Sequence, residues 1–336
     1  MFFELLFPKV LTLFLLMIPG IIMKKANLIN EGSAKTLSNI LLYITTPAMI
    51  LVGFIRPFDA DVLECVISVL IFAAILHPLF MLIGVLALKR VSDEGRRRML
   101  TFATVFSNAA FMGIPLVEKV LGSEALIYAS VYNITFNLFL WSFGVYVCTE
   151  DRDEDGDGVT DGDVLTDYHE IRRQNPLLKS LRTAVLHPVT IAALIGLVFF
   201  FLPIDTYVPS LVVESLTHLK SLVIPLSMMV IGLRLSDIDF HGILKEKSMY
   251  LFLILRHAAL PVLVYVIMKI MIMTGVTIST EVMLVVLIMA SAPAASSATM
   301  FAERYDCDAP YVSKLVTVST LLSIATMPLI TMLAYL

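Results

Sequence analysis

The feature that most constrains this chain is the length of its uncharged stretches. Residues 65–88 contain no Asp, Glu, Lys or Arg, and comparable runs recur from one end of the sequence to the other. A helix needs about 20 mainly apolar residues to cross the hydrocarbon core of a bilayer. Composition agrees: 58% of the 336 residues are hydrophobic and 15% are charged, against roughly 45–50% and 25% in soluble domains. A disordered chain, a nucleic-acid binder and an ordinary soluble enzyme are excluded on that basis. Outer-membrane strands are excluded too, because they show only weak alternation over short segments. Cys65, Cys148 and Cys307 are too scattered for a disulfide framework or a metal site.

Hydropathy predicts an all-α polytopic membrane protein with ten spans. They fall near residues 4–23, 34–55, 62–88, 97–120, 124–148, 184–203, 214–233, 249–272, 281–302 and 313–335. The first reads as a retained helix, since Lys24 and Lys25 follow the apolar stretch and a cleaved signal carries its charge before it. Of the 24 Lys and Arg, eighteen lie in the connections after spans 1, 3, 5, 7 and 9. Basic residues collect on the cytoplasmic side. Both termini are therefore expected outside, with the central loop in the cytoplasm, and the bilayer is expected to be the plasma or inner membrane.

The two halves repeat. Pro47 and Pro225 are 178 residues apart, as are Pro115 and Pro293, and Pro8 and Pro188 are 180 apart. His77 falls beside Arg256 and His257 at nearly the same offset. The expected organisation is a first five-helix repeat (1–148), an acidic cytoplasmic linker (149–183) and a second repeat (184–336). Five is odd, so the second repeat enters the membrane inverted. Inverted repeats are a signature of secondary transporters, with the site at the midplane where the repeats meet.

Spans 4 and 9 carry breaks. The first contains Ser107, Asn108, Gly113 and Pro115, the second Ser291, Pro293, Ser296 and Ser297. Proline removes an amide donor, and glycine permits unusual backbone. Unwound backbone at membrane depth survives only inside protein or along a cavity. Each break frees amides at a new helix start, where the dipole is positive. Two crossing breaks make a site for a carboxylate, and neither span has Lys or Arg at its centre.

With these residues in view the sequence resembles the auxin efflux carrier family, which includes plant PIN-type carriers and bacterial malate permeases. The stretch NAAFMGIPLV (108–117) looks like its crossover motif. Residues 291–329 look like its ninth and tenth spans, and LSNILLYITTPAMIL and VYNITFNLFLWSFGVY resemble its second and fifth. The resemblance implies two inverted five-helix repeats, with spans 4 and 9 crossing in a mobile transport domain. Beside it stands a scaffold domain that pairs with a second copy. Export or uptake of small organic anions is implied, auxin itself is not.

Asn133 and Asn137 lie four apart on one face of span 5, as an interhelical hydrogen-bonding pair or as substrate contacts. His77, Arg256 and His257 are candidates for ion coupling, because ionisable residues within the membrane are functional by default. Arg256 is close enough to a helix end to snorkel. Lys220 and His218 are expected at the interface. The acidic run 151–163 matches the start of a calcium loop through Asp153, Asp155 and Asp157, but position twelve is Val164 where an acid is required. It reads as a solvated linker. No cofactor is expected: there is no phosphate-binding glycine loop and no hydrolase or zinc signature. The reading is a secondary carrier of small organic anions that works by alternating access. The alternative is a membrane receptor for an organic acid built on the same fold.

Overall fold

A computed structural model describes residues 2–30, 32–149, 182–202, 206–236, 246–305 and 307–335. The acidic run 151–163 and most of the expected linker lie outside them. The described residues are helical, with no strand among them beyond one isolated bridge. The helices are α1 (Phe2–Leu15), α2 (Ile18–Lys25), α3 (Ser33–Phe54), α4 (Ala60–Leu88), α5 (Glu94–Val105), α6 (Ile114–Leu121), α7 (Ser123–Cys148), α8 (Pro188–Phe201), α9 (Ser210–Leu235), α10 (Lys247–Met273), α11 (Thr280–Ser291), α12 (Ser297–Arg304) and α13 (Ala309–Met332). Among the described residues seven stretches are long and apolar enough to cross a membrane: α1 and α2 taken together, α3, α4, α7, α9, α10 and α13. The expected spans 4 and 9 are each divided in two, and span 6 is the short α8.

Local sequence explains the ends and the irregular turns. Asp59, Asp93, Ser279 and Asp308 cap α4, α5, α11 and α13 by accepting hydrogen bonds from first-turn amides. Wide π turns occur at Leu41–Thr45, Ala109–Gly113, Leu140–Gly144 and Leu255–Ala259. Three of them end two residues before a proline, Pro47, Pro115 and Pro261, and the turn at Leu140–Gly144 has none after it. A proline ring collides with the carbonyl one α-turn earlier, and an inserted residue opens that turn and removes the collision.

The helices pack as two groups. α2, α3, α8 and α9 form one, and α4–α7 with α10–α13 form the other. α2 and α9 meet backbone to backbone. A Cβ on Gly20 would overlap the Met229 carbonyl, and one on Gly232 would overlap the Met17 carbonyl. In the second group Arg96 joins three helix starts, with Glu246 and Asp308 each at 3.1 Å. Partial burial works against its charge, but the Asp308 hydrogen bond and the charges of Asp308, Glu246 and Asp93 outweigh this and raise its pKa. Outward, Ile67, Leu70, Ile71, Ile75, Leu82, Val85 and Leu86 form a half-exposed apolar stripe along α4. Soluble proteins rarely leave so large a patch bare. Lipid is the solvent such a face suits.

Candidate functional site

Both broken helices interrupt at one place and cross there. α5 stops at Val105 and α11 at Ser291, and the extended segments that follow pair antiparallel through Ser107 and Ala294. The Asn108 amide donates to the Pro293 carbonyl at 2.7 Å, and the Ala295 amide donates to the Phe106 carbonyl at 2.9 Å. Pro293 thus serves as an acceptor at a position where it has no amide to lose. Asn108 Nδ2 donates to Ser296 Oγ at 3.0 Å, and both residues are buried. α6 and α12 then restart on the far side. Four helix ends surround the crossing: two C-terminal ends whose last carbonyls, and two N-terminal ends whose first amides, have no partner within their own helix.

Gly113 belongs to the π turn that precedes α6, and its missing side chain leaves room for Met289, whose Sδ would be 2.8 Å from an added Cβ. Pro115 sits in the first turn of α6 and helps to set its direction. Ala110 and Ser297 are half-buried, which makes them the more accessible members of the crossing.

The carbonyl ends are held by a residue whose position differs from expectation. Arg256 is fully buried and does not snorkel. Its Nε donates to Ala292 O at 3.0 Å, Nη1 to Thr104 O and Val105 O at 3.1 and 3.4 Å, and Nη2 to Ala290 O and Ala292 O at 2.6 and 2.7 Å. One guanidinium therefore caps α5 and α11 together. Cations are favoured at helix C-terminal ends, and two such ends converge on this one.

His257, the next residue, steadies the same crossing. Its Nε2 lies 2.8 Å from Ser319 Oγ, and that oxygen accepts the Ala294 amide at 2.9 Å. Its Nδ1 lies 3.0 Å from Thr326 Oγ1, which donates to the Leu322 carbonyl at 3.2 Å. These partners suit a neutral ring: Nδ1–H donates to Thr326, and Nε2 accepts from Ser319. His77 is elsewhere, buried beside Tyr132 and Phe136 and stacked on Phe139 at 5.5 Å, with Nδ1 2.7 Å from the Ala73 carbonyl.

Asn133 and Asn137 are buried on α7. Among the described residues Asn133 Oδ1 and Asn137 Nδ2 have no hydrogen-bond partner. Phe136, on the same helix, meets Phe106 of the break edge-on at 5.7 Å. A buried polar atom without a partner is costly, so an unpaired acceptor and an unpaired donor are notable here.

Sequence reasoning singled out Arg256 only as a coupling candidate, and it missed Arg234. The centres of spans 4 and 9 do lack Lys and Arg, yet neighbouring helices supply Arg256 and Arg234. Arg234 of α9 donates from Nη1 to Ser296 O at 2.9 Å. It also missed Lys220, which is buried rather than at the interface. Its Nζ lies 2.8 Å from Glu118 and donates to Ser123 Oγ at 2.6 Å. The only sequence signal for these residues was charge within an apolar helix. His218 is exposed, as expected.

Long apolar helices, a lipid-suited surface and a buried polar crossing define an integral membrane protein of the transport class. The chain belongs to the membrane transport protein family, whose pattern matches residues 5–331, and this is the auxin efflux carrier family of the resemblance. It is similar to an "uncharacterized transporter" of Methanothermobacter thermautotrophicus, 25% identical over 321 residues and covering 95% of each chain. It is also similar to an "uncharacterized transporter" of Methanocaldococcus jannaschii, 28% identical over 236 residues and covering 68% of each.

Proposed function

We propose that this chain is a secondary carrier of small organic anions, mono- or dicarboxylates, and that it works by alternating access. The observation that carries the reading is the crossing itself. Two interrupted helices present free amides and the neutral polar groups of Asn108, Ser296 and Ser297 inside the protein, a site that binds a carboxylate and releases it. Asn133 and Asn137 are the further contacts, and their unpaired atoms support that role. Gly113, Pro115 and Pro293 shape the backbone.

The fold is read as ten spans in two inverted repeats, 1–148 and 184–336, joined by a cytoplasmic linker at 149–183, with both termini outside. The proline offsets support this, as does the occurrence of breaks at matching places in the two halves. The two helix groups divide in nearly the same way: α2 of span 1 with spans 2, 6 and 7 as the scaffold, through which two copies pair, and the remaining six spans as the moving body, against which α1 packs. Among the described residues polar contacts between the groups are few. They include Lys220–Glu118, Lys9 to the Val120 carbonyl at 3.3 Å, and Arg234 to Ser296. A small set of that kind can break and reform as one body slides. His77 and His257 are the candidates for proton coupling. Arg256, bonded wholly to carbonyls, is assigned to holding the crossing.

The test is flux in proteoliposomes against a panel of carboxylates, amines and neutral sugars. The expected result is saturable carboxylate uptake with counterflow. Preference for a cationic or neutral solute refutes the anion site. Binding without flux favours a receptor.

A further inference from the structure

Two guanidiniums reach the crossing, and they differ in how much of their bonding capacity is used. Arg256 makes five hydrogen bonds to backbone carbonyls and is sealed from solvent. Arg234 makes one, from Nη1 to Ser296 O, and is only half-buried. A guanidinium carries five N–H donors in a fixed fork. With Nη1 engaged, the Nε–Nη2 edge remains, and that edge matches a carboxylate bidentately. Among the described residues no carboxylate is in ion-pair contact with Arg234. Glu303, exposed on α12, is the acid whose charge acts on it.

A cation on an apolar helix is expensive unless it is paired or lines a water-filled path. Among the described residues Arg234 has no ion pair, and its neighbourhood fits the second case. Its half of α9 packs against the π turn Ala109–Gly113, and Ser297 follows the residue it bonds. The half-buried residues of the crossing, Ala110 and Ser297, are therefore on the elements it touches. α7, with the unpaired atoms of Asn133 and Asn137, packs against the same turn. Arg234 also comes from the other helix group, so a ligand held by it and by the crossing would contact both bodies at once.

We propose that Arg234 is the residue that reads substrate charge, closing its free edge on the carboxylate while the crossing holds the rest. This deepens the carrier reading and rests on it: the site is selective for the ionised acid over its neutral amide because a permanent cation is supplied from the scaffold side.

The experiment compares saturable uptake of lactate with lactamide, and of succinate with succinamide, in proteoliposomes of wild type, Arg234→Gln and Arg234→Lys. The expected result is a KM for the acids at least tenfold higher in Arg234→Gln, with the acid-to-amide preference collapsing. Arg234→Lys should keep part of the preference, since it retains the charge and loses the fork. Unchanged KM and unchanged preference in Arg234→Gln overturn the inference and leave the carrier reading standing. Wild type that moves none of the acids overturns the carrier reading, and this inference with it. Should Arg234→Gln fail to fold, phenylglyoxal labelling of wild type with peptide mapping decides. Protection of Arg234 by saturating lactate or succinate supports the role, and equal labelling with and without them refutes it.

Discussion

Replacing Arg256 with lysine tests whether one buried cation holds the two broken helices together. The guanidinium donates five hydrogen bonds to four carbonyls, two at the end of α5 and two at the end of α11. An ammonium has three donors, so at least two bonds are lost while the buried charge remains. At ~1.5–3 kcal/mol for each hydrogen bond to a charged group, the loss is about 3–6 kcal/mol. The bonds to Thr104 and Val105 share Nη1, which places the value toward the lower end. Arg256→Met differs in a useful way. It orphans all four carbonyls but also removes a desolvation cost of several kcal/mol, so its net loss should be smaller than the gross count of lost bonds. Thermal unfolding of the purified protein in detergent reads both variants, and proteoliposome flux reads the site. The expected outcome is a Tm lower by several degrees in each, with flux falling out of proportion to the folded fraction. A lysine variant with wild-type Tm and KM, or a methionine variant more stable than wild type, would refute the capping argument.

Asn108→Ala should raise the KM for carboxylates while lowering stability by only about 1 kcal/mol, because the two backbone bonds of the crossing remain; unchanged KM and turnover in uptake assays would remove Asn108 from the site. Ser319→Ala strips the Ala294 amide of its acceptor and His257 of a partner, at a cost of ~1–3 kcal/mol for a buried unpaired group; thermal unfolding measures the loss, and a neutral result would mean that Ser319 does not support the break. Gly232→Ala drives a methyl group into the Met17 carbonyl, so α2 and α9 must separate, and the variant should show a sharply lower yield of monodisperse protein and a lower Tm; normal yield would show that the two backbones can part at little cost.

Much of the fold was legible because lipid imposes a simple rule on composition. The apolar runs located the long helices, and Pro115 and Pro293 with their small neighbours located both breaks. What sequence could not give was the use of the charges. Arg256 lies a few turns from a helix start, where snorkelling is the ordinary outcome. Its burial depends on carbonyls at 104–105 and 290–292, exposed by breaks on two other helices. Lys220 looked interfacial for the same reason, and its partner Glu118 is about a hundred residues away in sequence. Arg234 was counted as one more basic residue at a helix end. In each case local sequence supplies the charge, and tertiary packing supplies the partner that decides its role.

The wide turn at Leu255–Ala259 has a consequence for how such sequences can change. It contains one residue beyond what an α-helical path requires. That surplus lets the neighbours Arg256 and His257 both enter the interior, one toward each side of the crossing. Deleting a single residue there would restore ordinary pitch and leave the helix downstream in its place, because the wide turn already absorbs that residue. The same holds at Leu41–Thr45 and Ala109–Gly113, and these three turns, unlike the one at Leu140–Gly144, are each tied to the proline that follows. A relative that lacks one of these surplus residues should also lack its proline, so single-residue gaps in alignments should fall at these turns and remove the two together.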